Sequence, residues 1–280
     1  MTRAEWLKTA AARLTKAGVD DAPREAKLLL GAALNLDLAA LAAGNEKTIT
    51  NDEEKRADFW LMRREKREPL GRIRGAREFW KSSFMLNEAT LEPRADSETI
   101  IEAALEIFKD NSPRHVLDLG TGTGCLLLSL LQEFASADGV GTDKSPRAQD
   151  AARRNARALG LEDRASFLCT SWADGIVKTF DLIVSNPPYI ESAVIKDLQP
   201  EVKNHDPALA LDGGADGLTA YRAIAKALPR VLEQGGVVIM EIGQGQERDV
   251  TDIFNGAGLK LTGQRNDLGG ITRALIFSRA

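Results

Sequence analysis

The sequence predicts an α/β protein in which a small helical domain precedes a mostly parallel sheet. From residue 115 onward, short apolar runs alternate with helix-length stretches, a pattern typical of a parallel sheet with helices on both faces. The first seventy or so residues are instead rich in Ala, Leu, Lys, Arg and Glu, without β-branched runs. A chain of 280 residues is long enough to bury a core in each domain.

The N-terminal domain is predicted to consist of short helices over residues 1–73. Asp21 followed by Pro23 favours the start of one helix. Thr50 and Glu53 have the spacing of a capping box at the start of another. These start signals separate the helices of a small domain.

Residues 74–92 are predicted to form a connector that contains a β-hairpin, with strands near 78–80 and 83–86. The second domain is predicted over 93–280. Its parallel strands are expected at 115–119, 139–142, 165–168, 180–185 and 237–242. Its crossover helices are expected at 126–134, 146–159 and 221–232. No helix-length stretch separates 259–262 from 274–278, which predicts an antiparallel pair at the sheet edge.

Composition excludes several classes of protein. The 37 basic and 41 acidic residues give a net charge of -4, which argues against coating of nucleic acid by bulk electrostatics. Cys125 and Cys169 lie far apart, outside any cluster that would hold a disulfide framework or a zinc ion, and a reducing compartment suits them. The sequence contains neither a signal-like N-terminus nor an apolar stretch of about 18 residues. We therefore expect a soluble cytoplasmic protein without a metal.

A glycine turn is predicted at the carboxyl end of the first parallel strand. The five residues that follow this strand are Gly120, Thr121, Gly122, Thr123 and Gly124. Glycines permit unusual dihedral angles and close approach of a ligand, and the start of the next helix favours an anionic group. Asp143 ends the next strand, 19 residues after Gly124, where a carboxylate can accept hydrogen bonds from both ribose hydroxyls. This pairing predicts a nucleoside-containing ligand.

The residues leave three interpretations of this turn open. The turn either binds no ligand, binds a nicotinamide dinucleotide, or binds another nucleoside-containing ligand. The dinucleotide fingerprint needs a sixth-position glycine, where this chain has Cys125. The shorter Gly-x-Gly-x-Gly pattern, preceded by Asp118, resembles the first motif of class I S-adenosylmethionine methyltransferases, which have a Rossmann-like fold. Trp172, just beyond the third strand, either covers the adenine face of that cofactor or is an ordinary core tryptophan.

The tetrapeptide Asn186, Pro187, Pro188 and Tyr189 follows the strand at 180–185 and lies at the same predicted sheet edge as the glycine turn. Two prolines by themselves are a good strand terminator, because proline cannot continue a hydrogen-bonded ladder. Termination accounts for the prolines. It does not account for an asparagine and a tyrosine at the end of the strand that faces the predicted cofactor.

Methyl transfer to a planar amino group accounts for the whole tetrapeptide. Such a nitrogen is a poor nucleophile because its lone pair is delocalised. The side-chain oxygen of Asn186 can accept one N–H and the carbonyl of Pro187 the other, since two prolines hold that carbonyl stiffly. Two acceptors orient the amino group without a strong base, and Tyr189 would pack against its plane. Asn186, Pro187 and Tyr189 are the predicted catalytic residues, and Pro188 joins them in binding the acceptor.

Six segments along nearly the whole chain resemble, in order and spacing, the HemK/PrmC family, the peptide chain release factor glutamine N(5)-methyltransferases. These segments are 68–70, 93–98, 117–124, 184–190, 208–214 and 241–243. Ala95, Ser97 and Asp206 depart from the usual residues of the family. The departures lie outside the core motifs and bear on substrate geometry more than on the reaction.

The resemblance implies a protein-glutamine N-methyltransferase that uses S-adenosylmethionine. The cofactor would be bound by Gly120 to Gly124, Asp143, Trp172 and Asn186, and the acceptor glutamine by residues 186–189. The implied substrate is the Gly-Gly-Gln loop of class 1 release factors, which the helical domain would help to dock. Neither a membrane nor a stable nucleic-acid partner is expected.

Other acceptors suit the same chemistry: a glutamine of a ribosomal protein, or an adenine or guanine amine in nucleic acid. A non-catalytic nucleotide-binding or translation-interaction module is the alternative from another class. Arg94, Asp96 and Glu98 either line the site or belong to a charged loop before a helix. Asp212, Gly213 and Gly214 are predicted to form a turn.

Overall fold

The computed structural model describes residues 1–279, which form eleven α-helices and nine β-strands. The helices are α1 (Arg3–Lys16), α2 (Ala22–Leu34), α3 (Leu38–Ala42), α4 (Asn51–Glu65), α5 (Leu70–Arg74), α6 (Glu98–Ile107), α7 (Cys125–Glu133), α8 (Pro146–Ala158), α9 (Pro200–His205), α10 (Thr219–Val231) and α11 (Glu247–Gly256). The strands are β1 (Ala76–Phe79), β2 (Ser82–Met85), β3 (His115–Leu119), β4 (Asp138–Asp143), β5 (Ala165–Cys169), β6 (Phe180–Ser185), β7 (Leu232–Glu241), β8 (Leu259–Asn266) and β9 (Thr272–Arg279).

These residues fall into two compact units. The helical unit comprises Met1–Ala76 together with Gln199–His205, and the sheet unit comprises the remaining described residues. Within residues 1–279, every helix is too short or too polar to cross a lipid bilayer.

The helical unit packs α1, α2 and α4 around a core that includes Trp6, Leu14 and Leu29. Both predicted helix starts are confirmed: α2 begins directly after Asp21, and Thr50 and Glu53 form a capping box at the start of α4. A capping box satisfies backbone N–H groups that the first helical turn leaves without partners.

Helix α9 belongs to the helical unit although it follows the sheet unit's strand β6 in sequence. The Glu201 carboxylate accepts a hydrogen bond from the Arg64 guanidinium at 2.9 Å and another from Arg67 at 2.7 Å. Arg64 is only 7% exposed, so these bonds neutralise a charge that is largely removed from water.

The sheet unit contains a seven-stranded sheet of order β5-β4-β3-β6-β7-β9-β8. Strands β3 to β7 pair in parallel, and β9 pairs antiparallel with both β7 and β8. The predicted parallel sheet with an antiparallel edge is therefore confirmed. The hairpin strands β1 and β2 lie within two residues of their predicted positions, and Phe79 packs edge-to-face against Phe84.

Two apolar clusters cover the two faces of the sheet. Successive strand residues point to opposite faces, so Val116 and Leu182 lie in one cluster while Leu117 and Ile183 lie in the other. Helices α6, α7 and α8 supply the first cluster and α10 and α11 the second. This burial fixes the strands, and with them the loops at their carboxyl ends.

Candidate active site

The glycine turn between β3 and α7 has a backbone that only glycine adopts readily. Gly120, Gly122 and Gly124 have φ angles of +77°, +56° and +81°. A Cβ atom on Gly124 would lie 3.1 Å from Leu128 Cδ1 and 3.3 Å from the Cβ of Ala152. The turn therefore needs glycine both for its conformation and for the close packing of α7.

Asp143 is held beside this turn. Its Oδ2 accepts a hydrogen bond from the backbone N–H of Gly122 at 3.0 Å, and its Oδ1 accepts one from Ser145 at 2.8 Å. Burial raises the pKa of Asp143 above its ordinary value, while the backbone donors act in the opposite direction. A carboxylate oxygen has capacity for more than one hydrogen bond, so the fixed Asp143 can still accept from a ligand.

The Asn-Pro-Pro-Tyr loop is anchored at both ends. Before the loop, the Ser185 hydroxyl donates to the carbonyl of Leu119 at 2.5 Å, which ties the end of β6 to the end of β3. After it, Gln246 Nε2 donates to the carbonyl of Tyr189 at 3.1 Å. A Cβ atom on Gly217 would lie 2.5 Å from the same carbonyl, so the chain behind the loop is also closely packed.

Two acceptors in the middle of this loop are open. The Asn186 Nδ2 donates to the hydroxyl of Ser97 at 2.9 Å. The Oδ1 of Asn186 and the carbonyl of Pro187 accept no hydrogen bond from any residue in the part of the chain that the structure describes. The loop thus presents oxygen atoms that suit a ligand with N–H groups.

A cavity of about 280 Å³ joins the two motifs. Seven of the predicted site residues line it: Gly120, Thr121, Thr123, Asp143, Trp172, Asn186 and Pro188. Gly122, Gly124, Pro187 and Tyr189 are not among its lining residues. Trp172 has a φ of +49°, and its ring lies 3.5 Å from where a Cβ on Gly120 would stand.

Tyr189 turns away from this cavity toward a buried carboxyl. It packs against the apolar cluster of α10 and α11, and its hydroxyl donates to Glu241 Oε1 at 3.4 Å. Burial and the neighbouring Glu241 raise the pKa of Tyr189 well above its ordinary value, so the phenol stays protonated.

Two buried carboxyls beside the site were not predicted as functional residues. Asp118 and Glu241 are each 1% exposed, and burial raises the pKa of each to about 7. Thr121 donates its hydroxyl proton to Asp118 Oδ2 at 2.6 Å. The signal that could have found both residues is an acidic side chain within an apolar strand, since such a group is seldom buried without a reason.

Of the remaining charged residues near the site, some line the cavity and others do not. Arg94 lines the cavity and pairs with Asp206 at 2.6 Å, whereas Glu98 accepts a hydrogen bond from the backbone of Trp80. Asp212 forms the predicted turn by accepting from the N–H of Gly214 at 2.9 Å, and it also lines the cavity. Residues 1–279 contain no group of three or more His, Cys, Asp or Glu side chains that could hold a metal ion.

Two family models match the chain. Residues 5–75 match the PrmC N-terminal domain, and residues 97–204 match the methyltransferase small domain. A protein of Rhodospirillum rubrum named release factor glutamine methyltransferase is 46% identical over 98% of this chain and 84% of its own length. A protein of the same name from Bradyrhizobium diazoefficiens is 47% identical over 96% of this chain and 92% of its own length.

Solved structures share the fold of about two thirds of the chain or more. The ribosomal protein L11 methylase of Lactobacillus delbrueckii has a TM-score of 0.51 at 19% identity, covering 66% of this chain and 80% of that one. The 16S rRNA N2 G1207 methyltransferase of T. thermophilus, in complex with AdoMet and guanosine, also has a TM-score of 0.51 at 19% identity, covering 73% of this chain and 50% of that one. At this identity the likeness establishes a class I methyltransferase fold.

The two buried carboxyls generate a prediction about stability. Their unfolded pKa values are near ~4, and folding raises both to about 7. The protonated form is favoured in the folded state, so this stabilisation is complete below pH ~4 and is lost as the pH rises through about 7. We expect Asp118→Asn to reduce the fall in the free energy of unfolding between about pH 5 and 8, measured by urea titration. Asp163→Asn, at an exposed position, is the control. Equal slopes in wild type and Asp118→Asn would contradict the assignment.

Proposed function

The chain belongs to the release factor glutamine methyltransferase family, and we propose that it methylates the side-chain amide of the glutamine in the Gly-Gly-Gln loop of class 1 release factors. It is an S-adenosylmethionine-dependent methyltransferase by family and fold. The observation that carries the proposal is the open Oδ1 of Asn186 in the lining of the same cavity as the glycine turn and Asp143.

The residues around the cavity fit S-adenosylmethionine. Backbone N–H groups at the start of α7 suit the methionine carboxylate, because the N-terminus of a helix favours negative charge. Asp143 offers carboxylate oxygens to the ribose hydroxyls, and Trp172 offers an aromatic face to the adenine. When bound, the cofactor supplies a methyl group on a positively charged sulfur, which leaves with the electrons of the carbon–sulfur bond.

The acceptor amide would be held by Asn186 and Pro187. Its two N–H groups would donate to Asn186 Oδ1 and to the carbonyl of Pro187, which fixes the plane of the amide. With both protons engaged, more electron density remains on nitrogen, and its lone pair points toward the methyl group. The nitrogen gains the methyl carbon and gives up one proton to solvent. Orientation and electrostatics supply the rate enhancement, so a strong base is unnecessary.

The names of the relatives support a release factor as the protein partner. The relatives are named for release factors, and a glutamine preceded by two glycines suits a confined cavity because glycines add no side chains beside it. We propose that the helical domain, residues 1–73, docks the body of the release factor, that the hairpin segment 74–92 connects it to the catalytic domain 93–280, and that the reaction takes place in the cytoplasm.

Incubation with labelled S-adenosylmethionine tests the proposed function. The acceptors are a class 1 release factor, the same factor with the glutamine of Gly-Gly-Gln changed to alanine, ribosomal protein and total nucleic acid. We expect methyl on the release-factor glutamine, located by mass spectrometry, and none on the altered factor. Label on ribosomal protein or nucleic acid alone would overturn the substrate. Cofactor binding without any transfer would favour a non-catalytic module.

Asn186→Ala removes one of the two proposed acceptors. Because loss of one oriented hydrogen-bond partner in a reacting site costs about 10²- to 10³-fold in rate, we expect the turnover rate to fall by about that factor while cofactor affinity changes little. Steady-state kinetics and calorimetric titration measure the two quantities. Asn255→Ala, at an exposed position on α11, is the matched control. Transfer by Asn186→Ala near the wild-type rate would sink the two-acceptor arrangement.

Gly122→Ala tests the cofactor role of the turn against a matched glycine. Gly122 and Gly160 have φ angles of +56° and +66°, and neither has an atom within 4 Å of an added Cβ. At both positions the backbone forces the new alanine into a left-handed conformation, which costs roughly 1–2 kcal/mol. We therefore expect similar losses of thermal stability. Only Gly122→Ala should weaken S-adenosylmethionine binding. Gly160 lies between α8 and the start of β5, at the amino ends of the parallel strands, whereas the glycine turn lies at their carboxyl ends. Equal affinities in the two variants would rule out the role.

A further inference from the structure

The orientation of the Asn186 side chain is decided by a residue that it contacts outside the loop. The oxygen and nitrogen ends of an asparagine amide have nearly the same shape, so hydrogen bonds select which end points where. Here Nδ2 points to Ser97 Oγ at 2.9 Å, which leaves Oδ1 for the acceptor. The reverse orientation would present an NH2 group to another NH2 group and would bind no glutamine amide.

Ser97 cannot select this orientation alone. A hydroxyl both donates and accepts, so it would receive Asn186 Nδ2 or donate to Oδ1 equally well. The direction of its proton must be fixed by a second partner. Ser97 is 3% exposed, so that partner must come from the protein.

Glu241 is placed to be that partner. The Ser97 hydroxyl lowers the pKa of Glu241, at the end of β7, so the two side chains lie close together. Glu241 Oε1 also accepts a hydrogen bond from the Tyr189 hydroxyl at 3.4 Å. Its Oε2 is buried without a hydrogen bond of ordinary geometry, so it retains acceptor capacity. An ionised carboxylate can only accept, so it draws the Ser97 proton toward itself and leaves Ser97 only lone pairs for Asn186.

We propose that Glu241 is a positioning residue that acts through the hydroxyl of Ser97 to hold the Asn186 amide with its oxygen toward the acceptor. The proposal rests on the proposed function, because it assigns a role in the reaction of the same loop. Glu241 touches neither cavity nor acceptor: it sets the polarity of a hydrogen-bonded row that runs from β7 through the residue before α6 to the end of β6.

The surroundings of Glu241 make this polarity sensitive to pH. The titratable and charged groups that face it are Asp96, Cys125, Tyr189, Tyr221 and Arg273, which come from three named elements and two loops. Burial and the charge of Asp96 raise the pKa of Glu241, whereas Ser97, Arg273 and Tyr189 lower it, and the balance is about 7. A protonated Glu241 can donate to Ser97, which frees the Ser97 proton to turn toward Asn186.

Turnover by the wild-type enzyme should therefore decrease as the pH falls through about 7, the ionisation of Glu241. In Glu241→Gln the neutral amide no longer fixes the Ser97 proton, so we expect the turnover rate to fall by about 10- to 100-fold and the acidic limb of its pH profile to vanish. Ser97→Ala should have the same two effects. Ser97→Thr keeps the hydroxyl and should restore both the rate and the limb.

Ser129→Ala is the matched control, because Ser129 is also fully buried and its hydroxyl has no hydrogen-bond partner within the described chain. Cofactor affinity and thermal unfolding report on folding in every variant. If Ser97→Ala and Glu241→Gln bind the cofactor but keep the wild-type rate and pH profile, the positioning role is wrong while the proposed function stands. If wild type itself transfers no methyl to glutamine, the proposed function fails first.

The double variant gives an independent check. If Ser97 and Glu241 act through the same hydrogen-bonded row, either substitution alone already interrupts it. The variant with both Ser97→Ala and Glu241→Gln should therefore turn over no more slowly than the slower single variant. Rate losses that multiply would show separate actions and would overturn the proposal.

Discussion

Parallel pairing of β3 with its two neighbours is the constraint on which the site depends. In the register of these strands, Asp118 lies opposite Gly141 on β4 and opposite Val184 on β6. Parallel strands end at a common edge, so this register brings the chain just after all three strands to one place. The glycine turn, Asp143 and Asn186 are neighbours for that reason. A shift of one residue in either pairing would separate them and would also turn every strand side chain to the wrong face.

Burial of polar groups is the second recurring feature of this edge. Asp118, Ser97 and Glu241 are nearly inaccessible to solvent, and buried polar groups are unfavourable unless hydrogen bonds replace those to water. The protein meets that cost with a few partners for each group, and some acceptor atoms remain open. Preorganised sites usually have this character, because polar groups that are already desolvated and oriented need little rearrangement when a ligand arrives.

Much of this arrangement could be predicted from the sequence, because it depends on local signals. A strand followed by glycines, an acidic residue at the next strand end and a strand stopped by two prolines place three motifs at one edge once the sheet is parallel. The antiparallel edge followed from a missing helix between its strands. The contact of Asn186 with Ser97 could not be predicted, since the two residues lie 89 apart in sequence. Such contacts depend on packing between elements, and no local pattern records them.

The path of the chain through α9 has a consequence for synthesis. The helical unit is discontinuous, since the carboxylate that pairs with Arg64 and Arg67 belongs to residue 201. When the ribosome has made the chain up to residue 76, both guanidinium groups still lack that carboxylate. Domains generally fold as they emerge, N-terminal part first, but here the first unit becomes complete only after the strand that carries the Asn-Pro-Pro-Tyr loop has been made. The order of translation therefore makes the last step in assembling the helical unit follow the synthesis of the Asn-Pro-Pro-Tyr loop.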